Sequence, residues 1–580
     1  MAISVSGIAP VAHLPLILGV LRKLEVAVLI DDVLPPHPDN VISCGRGVEA
    51  LVLAILDGDH ALYKVGARLA ERGMLPLLQR GLERASLNDY RLGQILDALF
   101  AANLNRVFGA LALKALEVYS IETPWLHQDT TTISLYGAYE GGEPGNEPTM
   151  PEPRSPVVPR PAYGHSKDSR PDLKQIMLSL GVSGEGGLPL RLGIRDGNTS
   201  DSAELPVAIE ECLEFGLDGV VGIVADSKAY SRRTLGLCVE KAIGLVTLVP
   251  RTCLVRQELE AWGQQHAPLP LLVEKPGRTK CDAPRRWWGQ SVERVVEVEY
   301  GDGRVEQKAL RFLVVRSSQL AQQQAKAAAT AQGKEAGAVA DYIRRVAVRS
   351  FACLADAEAA IAQEEGNGQG QRGRPPKRWH YHTLHYRVEA FTQRQKRSRR
   401  GRPAKAEPSQ EATRYRLAVE AEALAQAEPE QGWSVLATTV GTAVCSDEQI
   451  LHAYQDQNST VEHGLRWIKN PAAITPMWLE KPERIAALAM LTVVGLLVYG
   501  LIQRQVRLYL HDHAQHLPGN KGPTATPTAA VVLSLFTPLM MVQVQVDKLV
   551  VQQVYGWQDH HGMVCAALGI DQSWYEARPT

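Results

Sequence analysis

The sequence predicts an α/β protein: a mixed-sheet core, interrupted by a largely β insertion and preceded by a helical N-terminal region. Between 124 and 250 the hydrophobic pattern runs strand, strand, strand, helix, strand, helix, strand. From 251 to 432 that order is broken by long alternating runs and basic segments. From 433 apolar strand character returns in WSVLATTV, followed by helix. With 580 residues, the chain has room for about three to five domains.

HQDTTTISLYG (127–137) is dense in β-branched residues and reads as a strand. The segment 141–160 is rich in Pro and Gly and reads as loop. LKQIMLSLGVS (173–183), the turn GEGG and LPLRLGIRDG (188–197) form a hairpin pattern. The segment 202–215 is helical. VVGIVAD (220–226) is a short unbroken apolar run, as in a strand buried on both faces. The segment 231–241 is helical, and IGLVTLVP (243–250) is a second buried strand. The first three strands suit antiparallel pairing; the last two need parallel crossovers. That order is the order of the ribonuclease-H-like α/β fold.

Residues 1–118 read as helical. Val48 to Leu56, a Gly58-Asp59 turn, and Leu62 to Glu71 with Lys64, Arg68 and Arg72 make a weak helix-turn-helix pattern, which any two packed helices also produce. LNDYRLGQILDALF (87–100) and LNRVFGALALKALEVYS (104–120) follow as amphipathic helices. Within 251–432, VERVVEVEYGDGRVEQKALRFLVV (292–315) is a hairpin around Gly301-Asp302-Gly303. HYHTLHYRVEAF (380–391) and TRYRLAVEAEAL (413–424) read as strands, with an Ala/Gln-rich helix at 320–340. Helix is expected from 448 to about 511. The expected domains are therefore a helical region 1–118 that binds DNA, core halves 119–250 and 433–511, the insertion 251–432, and a C-terminal region 512–580.

A net charge of −1 says little by itself about nucleic acid; the distribution matters more. From Arg372 to Lys405 there are twelve Lys/Arg against one acid, Glu389. RGRPPKR (372–378) and RGRPAK (400–405) repeat one pattern. Arg372, Arg374, Arg400 and Arg402, flanking Gly and Pro, suit insertion into a narrow minor groove; a solvated basic loop is the other reading. The eight cysteines are scattered with no CxxC pair, which points to a reducing compartment. The N-terminus lacks a basic stretch before its apolar run, so no signal peptide is expected. IAALAMLTVVGLLVYGLI (485–502) carries no charge; it is long enough for a membrane span, and a fully buried helix looks the same.

Position selects three carboxylates. Asp129 falls in the first strand, before three threonines; Asp226 ends the run 220–225; Glu462 lies on the helix after the insertion. In a ribonuclease-H-like fold these places converge at one edge of the sheet. Three hard oxygen donors suit two Mg2+ ions per site, with Mn2+ as a substitute. Each aspartate also has an ordinary structural reading: Asp129 as a turn cap, Asp226 as the N-cap of a helix starting at Ser227. Arg466 and Lys469 follow Glu462 at steps of four and seven, on the same helix face. Trp467 is on a neighbouring face, as a core side chain or as a platform for an unpaired base.

Seven segments carry a resemblance. They are NDYRLGQILDALF (88–100), HQDTTTISLYG (127–137), YGHSKDSRPDLKQ (163–175), PLRLGIRDGNTSD (189–201), VADSKAYS (224–231), YQDQNSTVEHGLRWIK (454–469) and MWLEKPERIAALAML (477–491). In these the chain resembles the DDE transposases of bacterial insertion sequences, in the insertion-sequence-4 superfamily and nearest its 1634 branch. The resemblance implies that Asp129, Asp226 and Glu462 are catalytic and bind the metal ions. It also implies that the insertion helps hold the element end. A Tyr, Arg, Glu, Lys signature surrounds the third carboxylate in that superfamily. Glu462 and Lys469 match it; Tyr454 stands one residue too far away, and Asn458 takes the place of the Arg. The implied activity is cleavage of transposon ends and joining of the 3′-OH to target DNA. The implied partners are double-stranded DNA (terminal inverted repeats and target) and a second copy of the chain in a synaptic complex, with no membrane. Such a protein is expected in the bacterial cytoplasm at the nucleoid. The rival readings are an inactive DNA-binding derivative, a nuclease that cuts without joining, and a protein anchored at 485–502.

Overall fold

The computed structural model describes residues 3–139, 158–165, 170–214, 220–277, 282–366, 379–394, 411–424, 431–468, 479–546, 549–575 and 578–579. The chain is a mixed α/β protein that divides into two units. One comprises Met1–Gln257, Ser291–Leu313 and Val435–Thr580; the other comprises Glu258–Gln290 and Val314–Ser434.

The first unit is built on a large mixed sheet. Its strands lie in the order Pro189–Asp196, Lys174–Ser183, Trp125–Leu135, Gly222–Ala225, Gly244–Leu248 and Trp433–Thr438, followed by the hairpin that contains 291–313. The first three pair antiparallel, with Thr131 opposite Leu178 and Leu178 opposite Ile194. Trp125–Gln128 runs parallel to Gly222–Ala225, and that strand runs parallel to Gly244–Thr247. Every residue of Lys174–Ser183 is buried, its polar side chains Lys174, Gln175, Ser179 and Ser183 included. Trp433–Thr438 returns antiparallel to Gly244–Leu248. The segment 251–432 was expected to be a single insertion; the structure instead returns 291–313 to the first unit.

The helix expected from 448 to about 511 is two helices, Asp447–Ile468 and Pro482–Asp512. Three prolines, Pro471, Pro476 and Pro482, fall between 468 and 483, and proline is tolerated only in a helix's first turn. Pro482–Asp512 is the one helix among the described residues long and apolar enough to cross a membrane, and its apolar window is 94% buried. Cys44–Leu56, Asp89–Ala101, Leu104–Tyr119 and Asp559–Leu568 pack around it. Burial on every side accounts for the absence of a polar stripe.

The N-terminal region is not purely helical. Ile3–Ala9 is a strand, antiparallel to Met540–Val546, which pairs in turn with Leu549–Tyr555. Regions expected as separate, 1–118 and 512–580, thus share one sheet. Further bonds join them: Leu16 N donates to Tyr575 Oη at 3.0 Å, and Lys23 Nζ donates to Leu568 O at 2.9 Å. Local periodicity carries no information about pairings this distant in sequence.

Of the basic residues that suggested a DNA-reading helix, Arg68 and Arg72 both bind Asp57, whose side chain is 1% exposed, and Lys64 pairs with Asp59. Those charges tie Leu62–Glu71 to the preceding turn. The chain crosses very closely at Gly45, where an added Cβ would land on the Ala27 backbone carbonyl. Backbone cannot yield as a flexible side chain can. Gly45→Ala is therefore expected to cost about 1–3 kcal/mol, read as a lowered thermal midpoint.

The second unit was expected to be largely β, but helices make up much of it. Ser318–Ala347 is a 30-residue helix, and Leu354–Gly366 is another. Ala, Gln and Lys give the first of these a high intrinsic helix propensity, so it persists with few buried positions. Ser350–Phe351, Glu411–Ala423 and His382–Arg394 form a three-stranded sheet. Val346, Ala357, Ala360, Leu417 and Val419 make its core with the helices.

Candidate active site

Asp129 lies inside Trp125–Leu135, and Asp226 directly follows Gly222–Ala225. These strands are parallel neighbours with Gln128 opposite Ala225. Asp129 and Asp226 therefore stand at one level, about 5 Å apart along the strand-to-strand direction. Both line one cleft, together with Thr130, Asp201 and Lys228. Asp129 is half-buried and Asp226 is exposed.

Local hydrogen bonds hold both aspartates. Asp129 Oδ1 accepts from Thr130 N at 2.7 Å. Asp226 Oδ1 accepts from Lys228 N at 3.0 Å and caps the short 3₁₀ turn Ser227–Ala229. Its backbone carbonyl accepts from Thr247 Oγ1 at 2.6 Å. Asp226 thus does the work of an N-cap while lining the cleft. His127, two positions before Asp129, has its imidazole pushed down to about 4 by burial. It is neutral at neutral pH and brings no charge to the strand.

Sequence reasoning missed Asp201 and Lys228. Thr130 Oγ1 donates to Asp201 Oδ1 at 2.6 Å, and Lys228 Nζ is ion-paired with Asp201 Oδ2. Burial works against the Lys228 charge. The bond to Asp201 and the negative charges of Asp201, Asp226 and Asp129 outweigh it and hold the ammonium above its usual range. Asp201 closes DGNTSD and Lys228 stands two positions after Asp226 in VADSKAYS, so both lie beside the sequence segments that mark the cleft.

Behind the cleft is a buried charge network. Arg191 is 1% exposed. It donates to Glu204 Oε1 and Ser179 Oγ at 2.9 Å, to Gln128 Oε1 at 3.3 Å, and through Nε to Glu211 Oε2 at 2.9 Å. Arg195 donates to Glu204 Oε2 at 2.7 Å and to Glu211 Oε1 at 2.6 Å. The network fixes Asp201–Glu214 to the strand that carries Asp129.

Asp447–Ile468 packs against Trp125–Leu135 and Gly222–Ala225. Its first residue is anchored by Arg311 Nη2, 2.6 Å from Asp447 Oδ1. Burial pushes the Tyr454 phenol up to about 12; the Asp226 charge adds to the rise and Arg256 opposes it. Tyr454 is thus a protonated donor within electrostatic reach of Asp226. Glu462, Arg466 and Trp467 follow on the same helix, but their side chains lie outside the described residues. Lys469, Arg372, Arg374, Arg400 and Arg402 lie outside them altogether. The pair Arg394 and Glu411 ends a regular hairpin, so 395–410 connects its two strands. Among the described residues no group of three or more His, Cys, Asp or Glu side chains is placed to hold a metal.

Residues 6–113 match a domain of unknown function, DUF4277. No curated protein matches the chain. Among solved structures, a piggyBac transposase synaptic complex with hairpin DNA matches at 11% identity and a TM-score of 0.24. The match covers 51% of this chain and 60% of that one, so it spans less than two thirds of the transposase's length.

Proposed function

We propose that the chain is a DDE transposase of the insertion-sequence-4 superfamily, nearest its 1634 branch, with a ribonuclease-H-like core. The observation that carries this reading is the meeting of Asp129 and Asp226 at one level of adjacent parallel strands, in one cleft. The order of the five strands from Pro189–Asp196 to Gly244–Leu248 supports it, as does the packing of the Glu462 helix against the two aspartate strands.

The donor set fits hard divalent cations: two carboxylates side by side repel unless a cation joins them. Asp129, Asp226 and Glu462 would hold two Mg2+ ions, which supply charge neutralisation at the phosphate and activation of the attacking oxygen. The remaining work falls to the chain. Tyr454, kept protonated, would offer its hydroxyl as a hydrogen-bond donor on the helix that carries Glu462. Arg466 and Lys469 hold phosphate oxygens beside the scissile bond. Water first opens the phosphodiester at the element end and frees a 3′-OH. That hydroxyl then attacks a target phosphodiester in line and expels a second 3′-oxygen, so one bond forms for each that breaks. Two ends and one target call for a symmetric pair of chains on DNA.

The test is a linear DNA bearing the element's ends, a target plasmid and Mg2+. Strand-transfer products are expected from wild type and from neither Asp129→Ala nor Glu462→Gln, with end binding kept in both. Cleavage without joined product would assign a nuclease; end binding with neither reaction would assign a DNA-binding derivative. Neutralising Arg374 and Arg402 together is expected to weaken DNA affinity. It should also flatten the plot of log affinity against log salt by about two slope units, one per lost phosphate contact. An unchanged slope would reduce that segment to a solvated loop.

A further inference from the structure

We infer that Lys228 is the resident counter-cation of the Asp129–Asp226 cleft, and that divalent ions bind there in competition with its ammonium, which stays on Asp201. The inference rests on the metal-binding reading of this site.

A metal-free cleft with two carboxylates one strand apart must offset their repulsion in some other way. The fold does this with a cation carried on the same turn. Asp226 accepts from the backbone N–H of Lys228, so the residue that supplies one carboxylate also fixes where the lysine leaves the chain. The ammonium is held on Asp201, and Asp201 is held by the hydroxyl of Thr130, the neighbour of Asp129. Thr130 N in turn donates to Asp129. These contacts link Asp129, Thr130, Asp201, Lys228 and Asp226 in one chain around the cleft. Lys228 is bonded to Asp201 while lining the same cleft as Asp129 and Asp226. A divalent ion between Asp129 and Asp226 cancels their two charges, so the ammonium is no longer drawn towards them. Asp201 gives it a place to remain, at the rim. The lysine side chain is half-exposed, so an outward shift of the ammonium needs no repacking.

The experiment is a titration of the full-length chain with Mn2+, free ion being read by electron paramagnetic resonance. It requires no catalytic activity. Lys228→Met and Lys228→Gln are expected to bind Mn2+ about tenfold more tightly than wild type, because a unit positive charge near the ions is gone. Lys228→Arg keeps the charge and is expected to bind as wild type does. Unchanged or weaker binding by both uncharged variants overturns the inference. The double variant Asp129→Asn, Asp226→Asn separates the two readings. If it loses Mn2+ while the Lys228 variants match wild type, the cleft binds metal and only the role of Lys228 fails. If it binds as wild type does, or if neither wild type nor Lys228→Met binds Mn2+, the metal-site reading fails as well.

Discussion

Arg191→Met is expected to destabilise the first unit by about 3–5 kcal/mol, enough to leave little folded protein at ordinary temperature. The side chain is fully buried and serves four acceptors on three elements. Methionine fills much of the space but leaves Glu204 and Glu211 sharing the single guanidinium of Arg195. The cost comes from those carboxylates rather than from lost attraction, and pH makes that visible. Burial would raise the Glu204 carboxyl, but Arg191 and Arg195 together hold it below its usual range. In wild type this contribution is present at neutral pH and is lost as pH falls through the depressed value. In the variant, acid relieves the strain by neutralising Glu204, which then has only Arg195 as a partner. Urea denaturation should therefore show the gap between the two proteins narrowing from neutral pH to about pH 4. Replacing Arg191, Glu204 and Glu211 together by apolar residues should recover most of the stability. A gap that does not change with pH would mean that lost packing sets the cost.

What the sequence made legible follows from the range over which each signal acts. The strands around Asp129 and Asp226 are visible because β-branched density and unbroken apolar runs are local properties. Their adjacency is not set by direct chain connection, since Lys174–Ser183, Pro189–Asp196 and Asp201–Glu214 lie between the two strands; only the expected ribonuclease-H-like order implied it. The pairing of Ile3–Ala9 with Met540–Val546 follows no such order, and ISVSGIA alternates too weakly to announce a strand. The second unit holds more helix than expected because LADAEAAIAQEEG, rich in Ala and Glu, has a high helix propensity of its own. Within the cleft, the aspartates could be chosen by position along the strands. The bond between Lys228 and Asp201 joins residues 27 positions apart and depends on how Asp201–Glu214 sits on the sheet. The buried Arg191 illustrates the same limit: nothing within LPLRLGIRDG places its charge inside, and only Glu204 and Glu211 on the following helix allow it there.

Asp226→Asn is expected to abolish strand transfer, lowering the rate about a thousandfold or more, while leaving stability within about 0.5 kcal/mol of wild type. The two readings of this residue predict different outcomes at this one substitution. As the cap of Ser227–Ala229, Asp226 needs only an oxygen that accepts from Lys228 N, and asparagine supplies one equally well. As a metal ligand beside Asp129, it needs a full negative charge, which asparagine lacks. Asp226→Ala removes both and should lose activity together with about 1 kcal/mol of stability. Thermal melts with and without Mg2+ give a second readout free of DNA. An ion that binds only the folded state raises the wild-type midpoint in proportion to its saturation, and the rise should vanish in the asparagine variant. An asparagine variant that still joins DNA ends and is still stabilised by Mg2+ would make Asp226 a cap and nothing more. The paired carboxylates would then have no common ion to explain why the fold sets them side by side.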